Sequence, residues 1–259
     1  MSLRGAPLLY VFYETAQIRK QRELFESVIG VPVIEVEPHL PHHRHGVFKY
    51  DAGGIILSHN MSGPSRFREG ESDALVTVFS VPPGWDAGRL AGWGTLRADG
   101  LFTDAEGRHF RFRPAAVERP VVSELRLTVR SLAEAEAFYS ARLGLELCER
   151  GDAYARYATG TVELGLEESA AAPDGLRPRH ASYLVVFLTP AIEETRRSLE
   201  TRGLRFKGPR VGFSEIGGTI RFDDPSGQRL CLYVPSDESL SWGSGAKVME
   251  IAGGAAAAA

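Results

Sequence analysis

Residues 122–148 read Val122-Ser-Glu-Leu-Arg-Leu-Thr-Val129, Arg130-Ser131-Leu132-Ala-Glu-Ala-Glu-Ala-Phe138-Tyr139-Ser-Ala-Arg142-Leu143-Gly144, and Leu145-Glu-Leu-Cys148. In the first run Leu125, Leu127 and Val129 alternate with Glu124, Arg126 and Thr128, the two-residue period of a half-buried strand. The second run changes period. Leu132, Ala135, Phe138 and Tyr139 recur at helical spacing, Ser131 stands where an N-cap belongs, and Gly144 ends the helix. The third run is a strand again, and two more follow near 153–158 and 161–166. The order is strand, helix, strand, strand, strand.

That order occurs three more times along the chain. Residues 8–13, a helix carrying Leu24 and Phe25 to Gly30, and strands near 31–36, 47–50 and 54–58 make the first unit. The last unit has a strand at 183–188, an amphipathic helix from Ile192 to Arg202 closed by Gly203, and strands near 204–207, 219–222 and 230–234. The second unit is the most divergent. Residues 74–81 form a clear strand, but residues 84–94 hold too many glycines for a full helix. Its closing turn survives: Asp104-Ala-Glu-Gly107 sits between strands as Asp224-Pro-Ser-Gly227 does 120 positions later, each a tight turn with glycine last. The chain is therefore expected to be an α+β protein of four βαβββ modules, paired as 7–114 and 121–235 into two cup-shaped half-barrel domains. Residues 236–259, ending in five alanines, are expected to be a flexible tail, with Trp242 and Val248-Met249 its only candidates for docking.

Composition narrows the function classes. Of 259 residues 43% are hydrophobic, and 30 basic residues nearly balance 33 acidic ones, which excludes a disordered chain and argues against nucleic acid as a partner. No run of about 18 apolar residues is present, so no membrane partner is expected. Two cysteines, Cys148 and Cys231, without a signal-peptide pattern point to a reducing, cytoplasmic setting.

The repeat, with Phe138-Tyr139 late in a helix, Leu143-Gly144-Leu145 after it and Asp224-Pro225-Ser226-Gly227 before the last strand, resembles the vicinal oxygen chelate superfamily. That group includes lactoylglutathione lyase, bleomycin-resistance proteins and extradiol dioxygenases. The resemblance implies cups whose first and last strands project three or four His, Glu or Gln side chains onto one divalent ion. Carried onto this chain, those positions are Glu124, Glu163, Leu184 and Cys231 in the second half. In the first half they are about Tyr10, Ile56, Val76 and Arg111. Two carboxylates facing a leucine and a cysteine break the two-histidine, one-carboxylate set of an extradiol dioxygenase. Glu124 and Glu163 are thus expected either to form an incomplete metal site, completed by water or His180, or to act as catalytic carboxylates, one with a raised pKa and serving as a general base. The plain alternative is an ion pair of Glu124 with Arg126 or Arg156.

Other candidates come from the residues themselves. His109, Arg111 and Arg113 alternate and share one face, which suits an anionic group on a ligand unless the arginines pair with Asp104 or Glu106. Ligand contacts are thus expected at Tyr10, His109, Arg111, Arg126, Leu184 and Cys231. Cys231, mid-strand between leucines, reads as a small packed hydrophobe rather than a nucleophile. Residues 38–45 hold four of the seven histidines in a Pro-punctuated loop, a cup-mouth segment or an adventitious metal site. Three functions stay open. One is a binding protein for a small aromatic or carbonyl-containing ligand without a full metal triad. The others are a lyase or isomerase using Glu124 and Glu163 with or without a divalent metal, and a duplicated fold with a structural or interaction role. The cofactor is none or a divalent ion, and the molecule a monomer or homodimer.

Overall fold

A computed structural model describes residues 2–37, 46–61, 74–169 and 183–258. Module one comprises β1 (Leu8–Thr15), α1 (Ile18–Glu23, continued by a π-helical turn Leu24–Ile29), β2 (Val33–Glu37), β3 (Val47–Asp51) and β4 (Ile56–Met61). Module two comprises β5 (Leu75–Val81), β6 (Gly94–Leu96), β7 (Leu101–Asp104) and β8 (His109–Pro114), with only a 3-10 turn, Ala87–Leu90, where the others have a helix. Module three comprises β9 (Val121–Val129), α2 (Leu132–Glu136, with a π turn Ala137–Arg142), β10 (Glu146–Arg150), β11 (Tyr154–Thr159) and β12 (Val162–Glu168). Module four comprises β13 (Tyr183–Leu188), α3 (Ile192–Thr201), β14 (Gly212–Ser214), β15 (Gly217–Asp223) and β16 (Arg229–Pro235). The helix stops behave as the sequence predicts: Gly30, Gly144 and Gly203 all take positive φ, at 95°, 74° and 82°.

One expected strand moves. Residues 204–207 contribute only a single bridge, Phe206 to Phe222, and the edge strand forms at Gly212–Ser214 instead. Pro209, which has no N–H to donate, interrupts the segment between them.

The sheets require a larger correction. Modules adjacent in sequence were expected to share a cup within 7–114 and within 121–235. The two eight-stranded sheets run β14-β15-β16-β13-β1-β4-β3-β2 and β10-β11-β12-β9-β5-β8-β7-β6, so module one joins module four and module two joins module three. The joints are antiparallel pairings of first strands, β1 with β13 and β5 with β9. Adjacent modules meet through their helical faces instead. Phe25 of module one packs on Phe79 and Phe110 of module two, and Phe138 of module three on Phe222 of module four.

The two Asp-x-x-Gly turns fasten these contacts. In one, Asp104 accepts from Gln21 of α1 at 3.1 Å, and Arg108 reaches the Glu14 carbonyl at the end of β1 at 2.7 Å. In the other, Asp224 accepts from Tyr139 at 3.1 Å, and Gln228 reaches the Thr128 carbonyl at the end of β9 at 2.7 Å. The fully buried Arg108 is neutralised by Asp104 and Glu106, so the guanidinium is both paired and hydrogen-bonded, as burial demands.

The C-terminal segment is not the flexible tail the composition suggests. It folds into α4 (Asp237–Leu240), opened by a Ser236–Ser239 capping box, and α5 (Gly245–Ala258). Val248 and Ile251 are buried against Leu9, Tyr10, Ile56 and Val186 on the concave face of the module-one and module-four sheet. No helix among the described residues is long and apolar enough to cross a membrane.

Candidate functional site

The cross-half pairing regroups the expected site residues. Tyr10 and Ile56 now share a cup with Leu184 and Cys231, while Glu124 and Glu163 share the other with Val76 and Arg111. The residues singled out as one carboxylate site with Leu184 and Cys231 are therefore in different sheets. Any joint role for all four is excluded by the topology.

In the cup of modules two and three, Glu124 and Glu163 are register partners on the parallel β9–β12 pair, adjacent as the alternation requires. Their chemistry differs from expectation. Arg126 forks onto Glu124, Nε donating to Oε1 at 2.8 Å and Nη2 to Oε2 at 3.0 Å. Tyr154 donates to Oε1 at 2.8 Å and Arg113 to Oε2 at 3.3 Å. Gly165 makes room for this, since a Cβ there would lie 2.3 Å from Glu124 Oε1. Burial alone would raise the Glu124 pKa, but the hydrogen bonds and charge of Arg126, helped by Tyr154 and Arg113, outweigh it and hold the carboxyl below its usual range. A carboxylate so committed has no electron pair left for a proton or a cation. Glu163 is 42% exposed in its side chain and pairs with Arg156 at 2.8 Å. The expected raised carboxylate is thus replaced by a lowered one, and the pairing alternative, Glu124 with Arg126, is what the geometry contains.

The rest of that cup is similarly self-satisfied. Arg111 does share a face with His109 and Arg113, but its Nη1 donates to the Asp99 carbonyl at 2.7 Å rather than pairing with Asp104 or Glu106. His109 shares a hydrogen bond with Thr103 at 2.9 Å. The wide-mouthed depression beside Arg126 is lined by Arg113, Arg126 and Arg156 against Glu149, Glu167 and Glu168, a balanced set of charges, with Ala153 and Tyr154 between them.

The cup of modules one and four is different. Its concave face carries Tyr10, Phe12, Leu184, Val186, Cys231 and Tyr233, and Trp242 and Val248 from the C-terminal segment complete the wall around a cavity of about 290 Å³. Tyr10 stacks on Phe12 at 5.1 Å and meets Tyr233 edge-on at 5.9 Å. Tyr233 donates to the Ile216 carbonyl at 2.6 Å, which fixes its ring. Cys231 lies on the floor, where burial pushes its thiol up to about 12, so it is an inert wall and not a nucleophile. His59, on the opposite face, is buried among Phe25, Tyr13 and Tyr50 and faces no cavity.

A latch of buried charge holds the wall in place. Lys49 and Glu35, register partners on β3 and β2, pair at 2.8 Å with side chains 9% and 6% exposed. Lys49 also donates to Ser244 Oγ at 3.3 Å and stands 5.5 Å from the Trp242 ring, and Glu35 accepts the Ser244 backbone N–H. Lys247 adds an ion pair to Asp51 at 3.1 Å.

Among the described residues, the positions carried over from the resemblance do not offer a divalent ion a donor set in either cup. One offers tyrosine, isoleucine, leucine and a protonated thiol at the positions carried over, the other a carboxylate occupied by guanidinium groups. Among the described residues no group of three or more His, Cys, Asp or Glu is arranged to hold a metal. The histidine-rich segment 38–45 and His180 lie outside the described residues.

The sequence reading put Tyr10, His109 and Arg111 in the first cup and Leu184, Cys231 and Arg126 in the second; the fold brings Tyr10 together with Leu184 and Cys231 and leaves His109, Arg111 and Arg126 in the other cup. It missed Phe12, Lys49, Arg221, Arg229 and Tyr233 as cavity residues. The signal for Arg221 was present, since the tight turn at 224–227 sets it opposite Cys231.

Residues 121–232 match the model of the Glyoxalase/Bleomycin resistance protein/Dioxygenase superfamily. Among solved structures, a "putative dioxygenase" from Bacillus subtilis superposes with a TM-score of 0.69 at 12% identity, covering 97% of this chain and 96% of that one. Glyoxalase I from Zea mays superposes at 0.66 and 16% identity, covering 88% of this chain and 92% of that one. At such identities the likeness is one of fold. No curated protein sequence matches the chain.

Proposed function

We propose, from the premise that this chain belongs to the glyoxalase/bleomycin resistance/dioxygenase superfamily, that it binds a small aromatic or carbonyl-containing molecule in the cup of modules one and four. The observation that carries this is the aromatic lining of that cavity. Tyr10, Phe12, Tyr233 and Trp242 line a cavity of about 290 Å³, near the lower end of small-molecule sites, and polar side chains including Asn60, Thr219 and Arg221 reach it from its rim. Flat π-faces held by packing lose little freedom on contact with a flat ligand, so stacking adds to the burial of apolar area.

The binding function rests on the chain's own residues and needs no metal step. An acid–base role for Glu124 and Glu163 is the weaker reading, because a general base needs a free lone pair and a pKa near the working pH. Glu124 has neither.

A thermal-shift screen of aromatic and 2-oxo compounds tests the proposal. A true ligand at 100 times its dissociation constant should stabilise the fold by about 2.7 kcal/mol. Tyr10→Ala should abolish that shift, whereas Arg111→Gln, in the other cup, should leave it intact. If no compound raises the melting temperature, or Arg111→Gln removes the shift and Tyr10→Ala does not, the cavity is not the site.

A further inference from the structure

Among the described residues, the charges that line the aromatic cavity do not cancel, and the one left over defines a ligand class. Four charged residues reach it: Glu14, Lys49, Arg221 and Arg229. Lys49 is matched by Glu35 at 2.8 Å, and Arg229 faces Glu14 at 4.0 Å. Arg221 has no hydrogen-bonded or ion-paired acid among the described residues. Asp223, two positions along the same strand, is committed to Lys207 at 2.6 Å. Arg221 and Thr219 sit two apart on β15 and both line the cavity, with Arg221 in register with Cys231 of its floor.

We propose that the ligand of this cavity is an aryl carboxylate, its ring against Tyr10, Phe12 and Trp242 and its acid group on the Arg221 guanidinium. This rests on the reading of the cavity as the binding site and adds the charge of what it takes. A guanidinium with no acid partner among the described residues, beside aromatic walls, offers a planar fork of donors that fits a carboxylate bidentately. The low-dielectric wall behind it concentrates its field toward the cavity, where a neutral ligand gains less from it than an anion does. A phosphate monoester carries a second charge and a larger hydration shell, which the aromatic wall does not compensate.

Isothermal titration of benzoate, phenylacetate, 2-naphthoate and indole-3-acetate, each beside its carboxamide, reads the inference. The carboxylates should bind about tenfold tighter than their amides. Arg221→Gln should erase that difference by weakening the acids far more than the amides, and Arg221→Lys should restore part of it. Because Arg221 is exposed, the variants should melt with the wild type. Equal affinity for acid and amide, or a preference that survives Arg221→Gln, overturns the assignment of the anion while the cavity stands as a site. Binding by neither series overturns the cavity as a site for aryl ligands, and the assignment of Arg221 with it.

Discussion

His59 is surrounded by aromatic rings, with Phe25 edge-on at 4.4 Å, Tyr50 at 5.2 Å and Tyr13 at 5.5 Å. It is fully buried, and its Nε2 has no hydrogen-bond partner. Burial first, and the Arg108 charge second, hold its pKa well below the usual 6.5. The sign follows directly. Below about pH 6.5 the unfolded chain takes up a proton that the folded chain refuses, so stability falls as pH falls, by up to about 1.4 kcal/mol per pH unit. His59→Phe should remove that slope, because a phenyl ring suits the cluster and cannot titrate. Urea unfolding at pH 7, 6 and 5 measures it, and an unchanged slope in the variant would refute the assignment. The sequence placed His59 on the face opposite Ile56, which strand alternation alone decides. It could not say whether Glu124 would be free or bound. Arg126 shares its face two residues on, but Tyr154 and Arg113 arrive from other strands.

At the scale of elements, the C-terminal helices are where composition misled. A stretch rich in glycine, serine and alanine has low intrinsic order, and its fold here comes from what it docks onto. Val248 and Ile251 bury against the cup, and the Lys49–Glu35 pair engages Ser244. Val248→Asp puts an unpaired carboxylate into that contact, at a cost of about 2–4 kcal/mol. The expected result is undocking of α4 and α5 with the two sheets intact. Hydrogen exchange should then show lost protection within 237–254 while β1, β13 and β16 stay protected. Ligands of the cavity should weaken at least about tenfold, since Trp242 leaves with the helices. Global unfolding of the variant, or an undisturbed tail, would contradict the picture of a docked wall.

For the whole molecule, each sheet is assembled from both halves of the chain. Cutting the linker between Pro114 and Pro120 therefore should not release two domains. A protease site inserted at 115–118 and cleaved should leave the fragments co-eluting at the intact mass in size-exclusion chromatography, parting only in denaturant. The β1–β13 and β5–β9 pairings, with the apolar core shared between the sheets, hold the fragments together. Independent, stable halves after cleavage would contradict this arrangement. Module composition was legible because strand, helix and turn signals act over a few residues: alternation of side chains, Ser131 capping, glycine at positive φ, and the paired aspartate turns. Module partnership was not, because first strands with the same apolar alternation can pair with either neighbour.

The sequence by itself therefore determined four βαβββ modules, where their helices stop, and which residues of each strand share a face. All of these follow from the local period of the backbone. The tertiary structure alone decided that module one pairs with module four, that Glu124 is neutralised by Arg126, and that the C-terminal helices complete a cavity around Tyr10. Each of those depends on residues far apart in the chain meeting across a sheet, where packing area and the need to pair buried charge select one partner among several that local pattern permits.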